Sequence, residues 1–501
     1  MSDIEWKKLG AYLKETQILG SIQNTLYWDQ NTGMPRKGAN WRSEQLTYIA
    51  KILHKRNSSQ EFSSLIKAAE VELLDLDINA ENKQIINSKK RNIELLTKEY
   101  NREKNLDPKL VEALAKAKSK GYQSWQEAKR KSDFEIFLPY FKELIFLRIE
   151  EAKQISDKYS PWETLAQPFE PELTLKWLHK IFQPIKETIP PLLQEINKFK
   201  KKDWDLSSKS QENLCSKLLD EFGRDKDLVV VARSPHPFSI TLGPSDYRIT
   251  TRIVEGEPFS SFLATAHEWG HSIYEQSLPS QSHQWFAWPL GQATSMGVHE
   301  SQSLFWENRI VKSKSFSKRF FENFALEGCT LDNHLELWKS LNHMEAGLNR
   351  VEADELTYGL HILIRTELEI NLIEGELEAK DIPSEWNKRY EQLLGIQPSN
   401  NSEGCLQDVH WSEGAFGYFP SYLLGHIISA QISSHMEKEI GLIDDLIEDG
   451  QYKKIILWLK NNVHKYGRSV NSMELVRNVT NNELKSDYFI DYLKSKINDF
   501  C

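Results

Sequence analysis

The sequence lacks the features that mark several classes of protein. Its 501 residues include four cysteines, no two of which form a CxxC pair: Cys215, Cys329, Cys405 and Cys501. This spacing argues against a disulfide framework and against a thiolate zinc site. No stretch approaches the about 18 uninterrupted apolar residues of a membrane-spanning helix, and residues 1–8 lack the apolar core of a secretory signal. We therefore expect a cytoplasmic protein with no membrane partner.

The sequence also lacks an overall excess of basic residues. The 72 acidic and 63 basic residues are mixed along the chain and give a formal charge of -9. Proteins that bind nucleic acid cluster lysine and arginine to neutralise phosphates, so we expect no nucleic-acid partner. The chain does contain 40% hydrophobic residues, including 15 tryptophans, which is enough apolar material for a large folded core.

Helical periodicity dominates the chain. From residue 9 to about residue 180, apolar side chains recur at three- and four-residue spacing, which predicts successive amphipathic helices. Between residues 228 and 254, β-branched residues beside glycine and proline predict a small sheet. The helical pattern resumes near Thr294, with interruptions predicted near Gly375 and over residues 383–401. The expected fold class is mainly α with one small β-sheet.

One short motif carries a definite chemistry. His267 and His271 are four residues apart, so on a helix both imidazoles point to one side and can bind one metal ion. Pro258 and the apolar residues after it predict the start of that helix. Glu268 flanks the open coordination position, where it can accept a proton from an attacking water as general base. The HExxH motif therefore predicts a zinc peptidase that hydrolyses amides.

A third metal ligand must come from outside the motif, because catalytic zinc sites usually have three protein ligands. The metzincin continuation fails, since Tyr274 and Ser277 occupy its Gly and His positions. We predict Glu300, in a helical segment that follows the loop 279–293. His299 is the alternative ligand, but adjacent side chains of a helix point about 100° apart, so only one can face the ion. Co2+ or Mn2+ could replace Zn2+ in such a site.

Further short segments surround this motif in order along the chain. They read HPF at 236–238, DxRxT at 246–250, HESQ at 299–302, IRxxAD at 349–354 and GxxQDxHW at 404–411. In this combination the chain resembles the carboxypeptidase Taq family of metallocarboxypeptidases over its whole length. One position departs from the family pattern, because Asn349 replaces the isoleucine of IRxxAD. That change concerns local packing and leaves Arg350 in place.

The resemblance implies a large, helical, prolate body with a deep groove and zinc at its floor. It also implies a homodimer that removes C-terminal amino acids from peptides with broad specificity. We take residues 1–501 as one catalytic domain, with a helical N-terminal half (about 1–225) and a zinc-site half (about 226–501).

A carboxypeptidase needs a cation that recognises the free C-terminal carboxylate of its substrate, and arginine offers a bidentate fork for it. We predict Arg350 for this role, with Arg248 and Arg252 as alternatives. A purely structural interpretation would pair Arg350 with Asp354 along a helix. Asp354 and Asp408 could orient a metal-binding histidine, although such residues usually cap helices or pair locally.

Other candidates depend on the resemblance. Related peptidases place a histidine and a tyrosine against the oxyanion, which makes His410 and Tyr418 candidates for that task. Tyr422, which could share a helix face with Tyr418, is a candidate for substrate contact or for the core. His236 is a substrate-binding candidate on the family match alone, because HPF can equally form a turn before a strand.

Two other functions fit parts of the sequence. An endopeptidase of the oligopeptidase type would share the HExxH chemistry and would need no carboxylate anchor. A non-catalytic helical binding protein is a more distant alternative, which the complete set of two histidines and two glutamates disfavours.

Overall fold

Helices form most of the chain. A computed structural model describes residues 3–74, 82–194, 205–282 and 284–500. Its α-helices are, in chain order, α1 (Ile4–Thr32), α2 (Ala39–Asn57), α3 (Gln60–Leu74), α4 (Lys83–Lys104), α5 (Pro108–Lys131), α6 (Phe134–Ile155), α7 (Pro161–Ala166), α8 (Leu175–Leu193), α9 (Ser208–Glu221), α10 (Ser260–Ser277), α11 (Met296–Leu304), α12 (Lys314–Leu326), α13 (His334–Leu341), α14 (Glu355–Ile373), α15 (Ile382–Leu394), α16 (Pro420–Ile440), α17 (Ile443–Glu448), α18 (Tyr452–Asn462), α19 (Ser472–Thr480) and α20 (Asp487–Phe500). The mainly helical fold class is confirmed.

The predicted small sheet has three strands, β1 (Val229–Arg233), β2 (Ser239–Gly243) and β3 (Asp246–Thr251). The central strand β3 pairs in parallel with β1 and antiparallel with β2. At the end of β3, Oγ1 of Thr251 donates a hydrogen bond to the carbonyl oxygen of Ser261, at 2.9 Å. Because Ser261 lies in the first turn of α10, the sheet fixes the start of the helix that carries the HExxH motif.

Two predicted boundaries differ from the structure, both at prolines. Pro258 lies before α10 instead of in its first turn, since the helix begins at Ser260. Pro383 begins a helix instead of interrupting one, because it occupies the first turn of α15, where its missing N–H costs nothing. The predicted break over residues 383–401 therefore starts only after Leu394.

The largest apolar cluster runs through residues 128–500 and surrounds α10, α11 and α16. Trp269 and Trp306 are almost completely buried in it, and fully burying a large apolar side chain contributes about 1.5–3 kcal/mol. A second cluster joins α1, α3 and α4 to Trp288, whose ring stacks on Trp6 with 3.8 Å between centroids. Among the described residues, no helix combines the length and apolar character needed to cross a bilayer.

Two glycines allow α11 to lie close against its neighbours. A Cβ added to Gly270 of α10 would lie 2.4 Å from the carbonyl oxygen of Gln302 and 2.5 Å from Cα of Ser303. A Cβ added to Gly425 of α16 would lie 2.8 Å from Cγ of Glu300. Helix α11 is therefore held between α10 and α16 at a separation that only glycine permits.

Replacing Gly270 with alanine should push α10 and α11 apart, because the added methyl group would meet backbone atoms that cannot rotate away. We expect a clearly lower melting temperature, since overpacking a core contact costs about 1–3 kcal/mol. Gly20→Ala is the matched control in α1, where an added Cβ meets nothing within 4 Å. That variant should melt at or slightly above the wild-type temperature, because alanine favours a helix over glycine by about 1 kcal/mol. Equal melting of both variants by circular dichroism would contradict the close packing.

Candidate metal centre

Two histidines and a glutamate meet between α10 and α11. Nε2 of His267 lies 3.8 Å from Oε1 of Glu300, and Nε2 of His271 lies 3.7 Å from Oε2 of the same carboxylate. One potential ligand atom from each residue lies within 4.8 Å of the other two. Within the described ranges of the chain, this is the only group of three or more His, Cys, Asp or Glu side chains with such spacing.

The three side chains fit a divalent transition metal. Two imidazole nitrogens and one carboxylate oxygen form the ligand set of many catalytic zinc sites, in which a fourth position stays open. The rival ligand His299 turns elsewhere, because its Nε2 lies 3.0 Å from Oε1 of Glu275. Its ring packs against His271 with 4.5 Å between centroids. The two adjacent side chains of α11 therefore diverge as helix geometry predicts, and Glu300 is the one that faces the histidines.

Glu268 lies beside this cluster and is only 6% exposed. Burial raises its pKa to about 7, and the charge of His267 partly opposes that shift. The carboxylates of Glu300 and Glu307 also act on Glu268, so all of these carboxyl groups lie within one buried electrostatic environment.

A carboxylate that the sequence analysis missed holds His267 in place. Nδ1 of His267 lies 2.9 Å from Oε2 of Glu307, which leaves Nε2 facing Glu300. The other oxygen of Glu307 accepts a hydrogen bond from Nζ of Lys312, at 2.6 Å. Burial would raise the pKa of Glu307, but Lys312 and His267 hold it well below its usual range. Glu307 therefore supports His267 as an ionised carboxylate, an arrangement that fixes the orientation of metal-binding histidines.

Glu307 belongs to a π-helical segment, Phe305–Val311, that continues α11. Such segments are rare and occur frequently at functional sites. Glu307 follows Glu300 by seven residues, which is about two turns of a helix. This spacing is the signal by which the sequence could have revealed it.

The two aspartates considered for that supporting role lie elsewhere. Asp354 caps α14, where its Oδ1 accepts the backbone N–H of Leu356 at 2.8 Å. Asp408 binds two arginines, with Oδ1 2.9 Å from Nε of Arg350 and Oδ2 2.5 Å from Nε of Arg365. The structural alternative considered for Arg350, an ion pair with Asp354, is therefore not what the structure has, because Arg350 pairs with Asp408. Two guanidinium groups share one carboxylate, so the trio carries one excess positive charge.

Arg350 lies near the metal cluster. Its Nη1 donates to the hydroxyl of Tyr358 at 3.2 Å, and its guanidinium lies 5.3 Å from the ring centroid of Tyr422. Burial raises the pKa of Glu300, and Arg350 is close enough to oppose that shift. The departure from the family motif is harmless here, because Asn349 accepts the backbone N–H of Val351 and caps the short turn that carries Arg350.

Three other predicted residues have no contact with the metal cluster among the described residues. Arg248 pairs with Asp246 through Nε and Nη2, at 2.9 and 3.0 Å, and lies over the ring of Trp28. Arg252 is exposed just beyond β3, and His236 is exposed between β1 and β2. Of the arginines considered, Arg350 is the one that lies close enough to Glu300 to oppose the rise in its pKa.

His410, Tyr418 and Tyr422 form one cluster beside Glu300. The ring of His410 lies 5.6 Å from that of Tyr418, and the two tyrosine rings lie 5.1 Å apart. Burial lowers the pKa of His410 to about 4, so its imidazole is neutral at pH 7. Burial and the carboxylate of Glu300 both raise the pKa of Tyr418. The predicted common helix face is wrong, because Tyr418 lies before α16, which begins at Pro420.

The loop 410–418 is fixed by a second carboxylate that the sequence analysis missed. Glu369 of α14 is fully buried and accepts hydrogen bonds from Nε1 of Trp162 at 2.8 Å, Nε1 of Trp411 at 3.1 Å and the N–H of Gly417 at 2.6 Å. Burial raises its pKa to about 7. Since all three donors are neutral, Glu369 serves as a structural anchor for the loop.

These features define a class of protein. A helix with an HExxH motif, an opposing glutamate on a second helix and a small sheet at the start of the first helix are the arrangement of a metallopeptidase. A family model described as carboxypeptidase Taq (M32) metallopeptidase matches residues 8–497. The chain belongs to this family, which confirms the resemblance seen in the sequence motifs.

Individual relatives agree with this assignment. The chain is 34% identical to carboxypeptidase 1 of Bacillus subtilis, over 98% of this chain and 97% of that protein. It is also 34% identical to thermostable carboxypeptidase 1 of Thermus thermophilus, over 98% of each. The solved structure of Trypanosoma cruzi metallocarboxypeptidase 1 superposes with a TM-score of 0.92 at 31% identity, covering 99% of this chain and 100% of that chain. The protein is therefore a peptide-cleaving enzyme of a family that implies a divalent metal ion.

Substituting Glu307 with glutamine should weaken metal binding about 10- to 100-fold, the usual effect of losing a partner that orients a metal-binding histidine. Affinity is measured by competition with a chelator and metal analysis of the protein. Glu322→Gln is the matched control, because Glu322 is exposed on α12. Wild-type affinity in Glu307→Gln would show that His267 needs no such support.

Proposed function

We propose that the protein is a zinc-dependent carboxypeptidase that releases single C-terminal amino acids from peptides with broad specificity. One observation carries the proposal beyond the family assignment. The histidine and glutamate cluster lies near a buried arginine whose charge is only partly neutralised, because Arg350 and Arg365 share Asp408. A substrate carboxylate supplies the missing negative charge, which favours cleavage next to a free C-terminus.

His267, His271 and Glu300 would hold the metal ion, and Zn2+ is the ion we expect for this ligand set. When bound, the ion supplies a Lewis acid that polarises the scissile carbonyl and lowers the pKa of water. Glu268 accepts the proton of the attacking water and then delivers it to the departing amine. Its burial beside the ligands keeps this proton transfer away from bulk solvent.

His410 and Tyr418 are the proposed donors to the oxyanion of the tetrahedral intermediate. A neutral imidazole has one N–H to donate, and the tyrosine keeps its hydroxyl proton because its pKa is raised. Glu369 holds their loop, so both donors are in position before the substrate binds. Such preorganised donors stabilise developing charge without reorganising during the reaction.

Arg350 is the proposed anchor for the substrate carboxylate, with Tyr422 beside it. The guanidinium is already held by Asp408 and Tyr358, so little conformational entropy remains to be lost on binding. For Arg248 and His236, the support is the family motifs alone, and we propose that they contact more distant parts of the substrate.

We also propose that residues 1–501 act as one catalytic domain, because the family model spans 8–497 and the main core runs through residues 128–500. A homodimer is proposed from the family resemblance. A cytoplasmic location is proposed from the four widely spaced cysteines, whose spacing argues against a disulfide framework.

A time course on one peptide in two forms, with a free and with an amidated C-terminus, tests the proposed function. Mass spectrometry should show stepwise loss of single C-terminal residues from the free peptide and none from the amidated one. Glu268→Gln should keep its metal and lose turnover about 10²- to 10⁴-fold, because the proton acceptor is gone. Internal fragments from both peptides would instead indicate an oligoendopeptidase, and near-normal turnover by Glu268→Gln would remove this residue from the mechanism.

Substituting Arg350 with methionine should raise KM for free peptides about 10- to 100-fold, because hydrogen bonds to charged groups contribute about 1.5–3 kcal/mol. Arg233→Met is the matched control and should change KM little, since Arg233 is an exposed residue of β1 that pairs with Glu212. Melting curves check that the Arg350 variant remains folded. If KM for free peptides rises more in Arg248→Met than in Arg350→Met, the carboxylate anchor would instead be Arg248 on β3.

A further inference from the structure

A second cavity, of about 490 Å³, lies outside the site described above. Its walls come from the π-helical segment Phe305–Val311, the start of α12, and parts of α16 and α20. Lys312 also lines the cavity, and this is the lysine that binds Glu307. The cavity therefore reaches the ion pair that supports His267 in the metal cluster.

Arg309 presents an unpaired cation in this cavity. Its Cζ lies 3.3 Å from the ring centroid of Tyr492, and within the described chain its guanidinium has neither a hydrogen-bond nor an ion-pair partner. Tyr492 is fixed in turn, because its hydroxyl lies 3.1 Å from Oε2 of Glu355 and 3.1 Å from Nζ of Lys496. The ring of Tyr492 holds the guanidinium in place and leaves its N–H groups available for a carboxylate.

The same cavity contains unpaired negative charges. Glu437, Asp444 and Asp491 line it, and none of them forms an ion pair with a lysine or arginine elsewhere in the described ranges. The lysines of the cavity are already paired, as follows: Lys312 with Glu307, Lys314 with Asp499 and Lys496 with Glu355. What remains for a ligand is one guanidinium and three carboxylates, which together suit a molecule with one carboxylate and one ammonium group.

We propose that this cavity binds a free α-amino acid and that its occupation slows turnover. Arg309 binds the α-carboxylate, and the unpaired acidic residues bind the ammonium group. Tyr488 and Trp338, which also line the cavity, offer apolar surface for a side chain. The ligand is the product released under the proposed function, so this inference rests on that function.

The path from the cavity to the metal centre is short. A bound carboxylate attracts the ammonium group of Lys312, which at present donates to Glu307 at 2.6 Å and to Asn308 at 3.0 Å. If Lys312 interacts with the ligand, its hydrogen bond to Glu307 becomes weaker. Glu307 is the carboxylate that orients His267. Product in the cavity therefore changes the metal site without occupying it.

Inhibition kinetics test this proposal with L-leucine and the wild-type holoenzyme, on a blocked dipeptide that ends in another residue. Product bound only at the active site raises KM and leaves kcat unchanged. We expect kcat to fall about fivefold at saturating leucine, a usual size for coupling between two sites. N-acetyl-leucine and leucinamide each lack one charge and should leave kcat unchanged.

Matched variants locate the effect, each compared with its own uninhibited rate. Arg309→Met should abolish the fall in kcat and keep the rise in KM. Arg477→Met is the control, because Arg477 of α19 is paired with Glu483 and lies outside the cavity. This variant should respond to leucine as the wild type does. Purely competitive inhibition of the wild type, or an unchanged fall in kcat in Arg309→Met, would overturn the proposal.

Calorimetry with L-leucine separates this inference from the proposed function. The wild-type holoenzyme should show two binding events and Arg309→Met only one. A protein that shows both events but releases no C-terminal residues would refute the proposed function and leave the cavity site intact. A single event in the wild type that persists in Arg309→Met would refute the cavity site.

Discussion

The close approach of α11 to α10 and α16 is the constraint on which the candidate metal centre depends. Because Gly270 and Gly425 have no side chains at the two contacts, Glu300 lies directly opposite the pair of histidines. Helix α11 continues into the π-helical segment, which places Glu307 against His267 and leads to Lys312. One stretch of chain therefore provides the proposed metal ligand Glu300, the support of the proposed ligand His267, and a wall of the second cavity.

Two buried carboxylates, Glu369 and Asp408, hold the other residues of the site in place, and their surroundings shift their pKa values in opposite directions. Glu369 accepts three hydrogen bonds from neutral donors, and burial raises its pKa to about 7. Asp408 is also buried, but Arg365 and Arg350 hold its pKa far below the usual range. Environment thus decides the charge of each group. Glu369 fixes the loop that carries His410. Asp408 fixes Arg350, whose charge acts on Glu300.

Much of the site could be predicted from local spacing. The HExxH pattern predicted the two histidines, the need for a third ligand pointed to Glu300 with His299 as the alternative, and β-branched residues predicted the sheet. Contacts between distant segments could not be predicted, such as the pairing of Asp408 with Arg350 across 58 residues. Glu369 had no signal at all, since a glutamate in a long helix usually faces solvent. Glu307 did have a sequence signal, because it follows Glu300 by seven residues, which is about two turns of a helix.

The sharing of Asp408 by two arginines has a consequence for how the enzyme responds to anions in solution. The proposed anchor, Arg350, should attract any small anion, because the excess positive charge of the trio is buried and poorly screened. If Arg350 binds the substrate carboxylate, we expect chloride, phosphate or acetate to compete with the terminus of a peptide for it. Under the proposed function, the activity of the enzyme would therefore depend on the small anions around it, through the residue proposed to distinguish the end of a peptide from its middle.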